Sequence, residues 1–340
     1  MSSPPVSQRP PVWQALLGIV VSATLLWWSL KDVNFAEVLL HLREARLVPI
    51  IAGVVMATLT FVLRIFRWQL LLRAEDGSRL PPGPLWHAIA MGFMANNVLP
   101  LRIGEVVRTF AATRLAGVRF TAALSSIAVE RMFDALTVGF FLGLGLLLAG
   151  LPADAEVGGV HMGRLATLVG VAAVAGLALA GAVVAFPRAA EATVRKLVPF
   201  KGLADRLVTI IEGIRQGLSA LQSPVRILGV ILWSLAIWGL SALSFYVMFA
   251  AFGIEVSFAG ALLMQSLIMF GIAVPSTPGY VGVFEAPIIA VLGLYHVDAS
   301  LAATYAFTYH ITTFIPITLL GAWSVARTNI GLRDLRRSPG

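Results

Sequence analysis

Two stretches decide the fold: WHAIAMGFMANNVLPLRIGEVVRTF at residues 86–110 and VPSTPGYVGVFEAP at residues 274–287, the centre of an apolar segment spanning 258–294. Each joins a short apolar arm to a Pro/Gly break and then to a second arm carrying a glutamate, Glu105 or Glu285. A helix needs about 20 residues to cross a hydrocarbon core, and each arm has only roughly 15, so the arms dip in and turn back. Irregular backbone at membrane depth is tolerated only where protein or a wet cavity surrounds it. Two such breaks at corresponding places point to a transport site near the bilayer midplane.

Composition agrees with a chain built for lipid. The 340 residues are 58% hydrophobic and 12% charged, with a mean hydropathy of +0.88. A soluble domain carries about twice that charged share, so the class is an all-α polytopic membrane protein. The basic balance, +8 at neutral pH, does not imply a nucleic-acid partner. The cations sit in loops, as the cytoplasmic loops of membrane proteins require. There is no cysteine, hence no disulfide and no thiolate metal site. Five scattered histidines make no metal cluster. No phosphate loop, metalloprotease helix or nucleophile elbow occurs, so neither a cofactor nor an enzymatic activity is expected.

Residues 1–11 are polar and proline-rich, a disordered cytoplasmic N-terminus leading into a retained first span. The transmembrane domain covers 12–327, with full-length spans at 12–30, 47–70, 120–150, 163–186, 227–252 and 299–326. Residues 200–221 read as a basic amphipathic helix on the membrane surface, and 328–340 as a basic cytoplasmic tail. Arginines crowd the first broken segment (Arg64, Arg67, Arg73, Arg79, Arg102, Arg108, Arg114, Arg119), the central loop and the C-terminus, and by the positive-inside rule these regions are cytoplasmic. No Lys or Arg occurs from Ile227 to Ala326, and Asp154 and Glu156 lie in a loop without cations, so both regions face outside.

The same span–hairpin–span unit thus appears twice with opposite topology, at about 47–150 and 227–326. Pro100 and Gly104 match Pro278 and Gly282 at an offset of 178 residues, and Val118, Ala123 and Arg131 match Val297, Ala302 and His310 at 179. The turns themselves are expected at Pro100, Gly104, Pro275, Pro278, Gly279 and Gly282.

Chemistry-bearing residues cluster near the breaks. Glu130, Arg131 and Asp134 share one stretch of a span, with Glu130 and Asp134 on one helix face and Arg131 within reach of Asp134. Ionisable groups inside a bilayer are costly and pair up facing the bundle interior. They read as a polar site for a charged head group or a proton-coupled switch, as a structural salt-bridge cluster holding the hairpin against its span, or as both. Asn97, Arg102, Glu105 and Arg108 lie in or beside the first break, and arginine forks suit phosphate or carboxylate. Glu285 has no local cation, so its mate is Arg102, Arg108, Arg131 or a proton. His310 reads as a satisfied polar residue and not as a ligand.

Three ordered motifs, N-x2-L-P-x-R-x-G-E-x2-R at 97–108, V-E-R-x2-D at 129–134 and P-S-x-P-G-x2-G-x-F-E at 275–285, resemble the lysylphosphatidylglycerol synthase transmembrane-domain family, also called flippase-like. The resemblance covers roughly residues 47–326. In bifunctional members this membrane domain is linked to moving aminoacylated phosphatidylglycerol between leaflets, and a soluble synthase domain follows. No aminoacyl-transfer domain lies within these 340 residues, so synthase activity is not carried over. Tyr280 stands where the family often has a second glycine. Some stand-alone members accompany hopanoid or other envelope-lipid pathways. The resemblance therefore implies a lipid translocator of the bacterial inner membrane, with both termini cytoplasmic, a membrane lipid as substrate and envelope-lipid biosynthesis enzymes as partners. A membrane-embedded transferase on a polyprenyl or hopanoid-type lipid is the other reading, and a scaffold recruiting a soluble partner through residues 200–221 is the third.

Overall fold

Each interrupted stretch folds as a helical hairpin in the computed structural model of the protein. The structure describes residues 12–99, 103–148, 156–157, 160–161, 187–197, 223–273 and 276–328, with isolated positions between 168 and 208 and residue 330. In chain order the helices are α1 Val12–Leu30, α2 Phe35–Glu44, α3 Leu47–Leu71, α4 Pro82–Val98, α5 Gly104–Ala116, α6 Phe120–Leu148, α7 Pro187–Leu197, α8 Pro224–Phe249, α9 Phe258–Ala273, α10 Glu285–Leu294 and α11 Ala299–Thr328. Two two-residue strands, β1 Glu156–Val157 and β2 Val160–His161, pair antiparallel after α6.

The protein is an all-α multi-pass membrane protein. Among the described residues α3, α6 and α8 are long and apolar enough to cross a membrane. Helices α1 and α11 occupy the expected stretches, α11 running to Thr328. The expected span at 163–186 and the amphipathic helix at 200–221 lie outside the described residues apart from isolated positions. So do Pro100, Arg102 and Pro275. The stretch between the first two spans also holds a helix, at Phe35–Glu44. Its start follows from Asn34, whose side chain accepts from the Ala36 N–H at 3.0 Å and donates to Glu37 at 3.1 Å. An asparagine N-cap with an acid three residues on is a helix-start signature.

The hairpin arms are short: 17 and 13 residues for α4 and α5, 16 and 10 for α9 and α10. The first hairpin closes on glycine. A Cβ on Gly104 would collide with the Gly92 carbonyl and the Asn96 side chain. The Gly104 N–H, an unpaired donor at the start of α5, is satisfied across the break by Asn96 Oδ1 at 2.8 Å. The second hairpin turns through a short 3₁₀ segment, Pro278–Tyr280, with φ +77° at Gly279, +59° at Tyr280 and +86° at Gly282. Glu285 Oε2 reaches back to accept the Gly282 N–H at 2.7 Å, tying the turn to the first residue of α10.

The two units interlock. Helices α3 and α8 pack on each other along the centre. Helix α11, which closes the second unit, packs on α4 of the first, while α6, which closes the first, packs on α9 of the second. A glycine permits each approach. A Cβ on Gly321 would collide with Met94, and one on Gly145 would stand 2.8 Å from the Leu263 backbone. Small residues at helix interfaces let backbones approach closely where lipid gives no hydrophobic driving force. The turn of the second hairpin rests against α4, with the Asn97 carbonyl beneath Gly279.

Candidate functional site

Four arginines and two acids meet where α3, α5, α6 and α8 converge. Arg64 and Arg67 come from α3, Arg108 from α5, and Glu130, Arg131 and Asp134 from α6. Arg67 is fully buried and donates to Asp134 Oδ1 at 2.6 Å and Ser234 Oγ at 2.9 Å, with Glu130 Oε1 at 3.2 Å. Arg108 takes both oxygens of Glu130, at 2.8 and 2.9 Å. Arg131 bridges Glu130 at 2.6 Å and Asp134 at 3.0 Å. The Trp238 indole N–H also donates to Asp134 Oδ1, at 2.7 Å. Trp68 lies under Arg108, 3.8 Å from its guanidinium carbon, and is itself held by Ser126 at 2.9 Å. Burying charge is tolerable when the charges pair, and every member of this lattice except Arg64 is in an ion pair among the described residues.

Beside the cluster opens a cavity of about 400 Å³. Arg64, Arg131, Glu105, Asn96 and Asn97 form its polar wall, with Gln265 and Trp238 across from the second unit. Both hairpins contribute: Asn97 and Glu105 from the first, Ala273, Tyr280 and Phe284 from the second. Asn97 is fixed by a hydrogen bond to Thr318 of α11 at 2.9 Å. Stacked rings, Phe245 on Tyr309 and Phe284 on His310, floor the side toward the second unit. The combination offers one buried cationic end, amides for hydrogen bonding and an aromatic lining. Concave sites of this kind hold small polar groups.

The structure corrects three expectations. Arg108 is buried against Glu130 and does not face the cavity, because a bidentate pair occupies its whole fork. Glu285 finds its mate within its own unit: His310 Nδ1 lies 2.5 Å from Glu285 Oε1. His310 is thus the partner of a buried acid. Glu130 is fully buried beneath three arginines, leaving Asn97, Glu105 and Arg131 of the expected set at the cavity wall. Gly279, Gly282 and Gly104 stand at the tight places expected of them, and Pro278 opens the second turn.

Sequence reasoning missed Arg64, Arg67, Trp238 and Gln265. Arg64 and Arg67 were grouped with cytoplasmic anchors, although they fall inside the 47–70 span. An ionisable residue within a span is a functional signal by default, and that signal was there to be used. Trp238 and Gln265 carry no local mark that separates them from apolar neighbours.

The model of the family described as Lysylphosphatidylglycerol synthase TM region matches residues 15–321. The glycosyltransferase AglD of Haloferax volcanii is 27% identical over 315 residues, 83% of this chain and 48% of that protein. A UPF0104 membrane protein of Methanothermobacter thermautotrophicus is 28% identical over 238 residues, 68% of this chain and 70% of that protein. The chain therefore spans about half the length of the first relative. The expectation of a chain without enzymatic activity is corrected by that relative, which is named a glycosyltransferase and matches most of this sequence.

Proposed function

The chain belongs to the Lysylphosphatidylglycerol synthase TM region family, and we propose that it draws a lipid head group into the cavity between its two hairpins and carries it between leaflets. The observation that carries this reading is the cavity itself, walled by Asn97 and Glu105 of one hairpin and Tyr280 and Phe284 of the other. A cavity with one polar wall inside a chain this apolar suits a substrate whose head must leave water while its tails stay in lipid. The two units would enter the inner membrane from opposite faces, with both termini cytoplasmic, and alternating access would follow from rocking about α3 and α8. Arg131, Glu105 and Asn97 would meet the head group. Arg67, Arg108, Glu130 and Asp134 would brace the arginines beside them.

The test is movement of fluorescent lipids of several head-group classes in proteoliposomes, read by chemical quenching of the outer leaflet. Movement faster than in protein-free vesicles supports translocation. Folded protein that moves no class of lipid defeats it.

A second reading, transfer of a sugar to or from a membrane lipid, is favoured by the name of the Haloferax relative. Lipid extracted after incubation with nucleotide sugars and with polyprenyl phosphate sugars separates the two. A new glycolipid supports transfer, and movement of unchanged lipid supports translocation.

A further inference from the structure

The cluster beside the cavity carries more positive charge than its carboxylates answer. Among the described residues Arg64, Arg67, Arg108 and Arg131 stand against Glu105, Glu130 and Asp134. Arg67, Arg108 and Arg131 each lie within 3.2 Å of Glu130 or Asp134. Arg64 makes no ion pair or hydrogen bond among the described residues, although it is only 7% exposed and lines the cavity. A cation buried without a partner is costly, and inside an apolar span such a group calls for a counter-charge.

The surroundings of Arg64 limit what can supply that charge. Phe93 and Trp238 flank the guanidinium, with ring centroids 5.1 and 5.5 Å from its central carbon. Its Nε and Nη1 are closed in and have no acceptor. A phosphodiester brings four oxygens and two ester arms, and nitrogens closed in this way give it little room. A bare ion meets such an edge with a single atom. The rest of the lining includes Phe61, Phe245, Ile268 and Phe284. An apolar lining suits an anion that gives up its water cheaply, as a halide does.

Gln265 borders the same space. It gives its amide N–H to the Trp238 carbonyl at 3.1 Å, which leaves its Oε1 buried with no donor. An acceptor does not bind an anion directly. A water on the ion serves both, giving one O–H to the ion and the other to Oε1.

We propose that the cavity holds a free monovalent anion of halide size, with chloride its simplest representative, bound by Arg64 and bridged through one water to Gln265 Oε1. The ion comes from the aqueous phase and is a component separate from any lipid. It is a resident counter-charge that brings the cluster to neutrality. A volume of about 400 Å³ has room for it with several waters, each taking about 30 Å³. The assignment does not depend on lipid carriage.

The experiment uses the purified full-length chain in detergent, with potassium chloride, bromide or gluconate at one fixed ionic strength. Radioactive chloride retained at equilibrium saturates at about one ion per chain, with a dissociation constant on the order of 1 mM, as two charge-assisted hydrogen bonds give. Replacing gluconate by chloride, from about 1 to about 100 mM, raises the unfolding temperature by roughly 2–5 °C, and bromide does the same. Arg64→Gln loses both the retention and the shift. In gluconate it unfolds at or above the wild-type temperature, because a cation buried without a carboxylate is gone. Gln265→Leu keeps the stoichiometry and weakens binding about three- to tenfold. Arg114→Gln, at an exposed arginine, changes neither reading.

A wild-type shift no larger with chloride than with gluconate overturns the assignment. So does equal chloride retention in Arg64→Gln, or an Arg64→Gln protein that unfolds below wild type in gluconate. Phosphatidylglycerol that stabilises the chain through Arg64 where chloride does not would give the arginine to a lipid phosphate and overturn it too. Lipid movement without chloride binding overturns it and leaves translocation standing. Chloride binding through Arg64 in protein that moves no lipid upholds it, and the failure then belongs to translocation alone.

Discussion

Arg108 donates from both ends of its guanidinium to the two oxygens of Glu130, at 2.8 and 2.9 Å, and so clamps the second arm of the first hairpin to the span that follows it. The second unit has the same clamp with its polarity reversed. There the acid, Glu285, is on the hairpin arm, and the base, His310, is on the following span.

Glu130 is shared by three guanidinium groups, whereas Arg108 has this one acid. Glu130→Ala therefore leaves Arg108 buried without a carboxylate, a loss of about 3–5 kcal/mol, and lowers the thermal unfolding temperature of the detergent-solubilised protein sharply. Arg108→Ala costs less, because Arg67 and Arg131 still hold Glu130. A melting point near wild type for Glu130→Ala would show that the cluster does not hold the hairpin.

Gly104 and Gly92 are packed so closely that a single methyl is too much. Gly104→Ala destabilises by about 1–3 kcal/mol, the usual range for overpacking. Gly83→Ala, on the same hairpin with open space around it, is silent or slightly stabilising. Chemical denaturation of the two variants side by side checks this, and equal effects would remove close packing as the cause.

Tyr280 has φ +59°, the region that glycine adopts freely. An L-residue there costs roughly 1–2 kcal/mol, so Tyr280→Gly relieves strain and keeps the turn. Tyr280→Val, β-branched, is worse by a similar amount. The order of unfolding temperatures, glycine at or above tyrosine and tyrosine above valine, is the expected outcome. A valine variant as stable as wild type would argue against a strained turn.

The sequence has no cysteine, so single cysteines report sidedness without background. Asn34 at the start of α2 is bonded through its N–H to Ser300 at the start of α11, 3.0 Å away. Cysteines at Glu37 and Asp298 are thus labelled from one side of the membrane, and a cysteine at Arg114 from the other. Labelling of all three from the same side would defeat the opposed orientation of the two units.

Much of the architecture was legible because it is written in long periods. Span lengths, Pro/Gly breaks and the absence of cations from Ile227 to Ala326 all operate over tens of residues. The site was legible only in part. Glu130, Arg131 and Asp134 announce themselves as charges in an apolar run. Which arginine each acid meets depends on how α3 and α5 cross α6, and no spacing along the chain encodes that crossing. Glu285 shows the same limit. Its partner lies 25 residues away on the next helix, and a histidine in an otherwise ordinary span gives no sign of facing an acid. Arg64 and Arg67 were misread for a different reason. They sit at the end of a span where a cytoplasmic anchor and a buried ligand look alike in one dimension.

The exchange of partners between the units has a mechanical consequence. Helix α4 is locked to α11 through Gly321, and α9 to α6 through Gly145, so neither half of the chain can swing as a body of its own. Any opening of the chamber must carry each hairpin arm together with the long helix borrowed from the other half. The moving parts are therefore two chimeric levers, each assembled from both ends of the sequence, with the crossing of α3 and α8 as their common fulcrum.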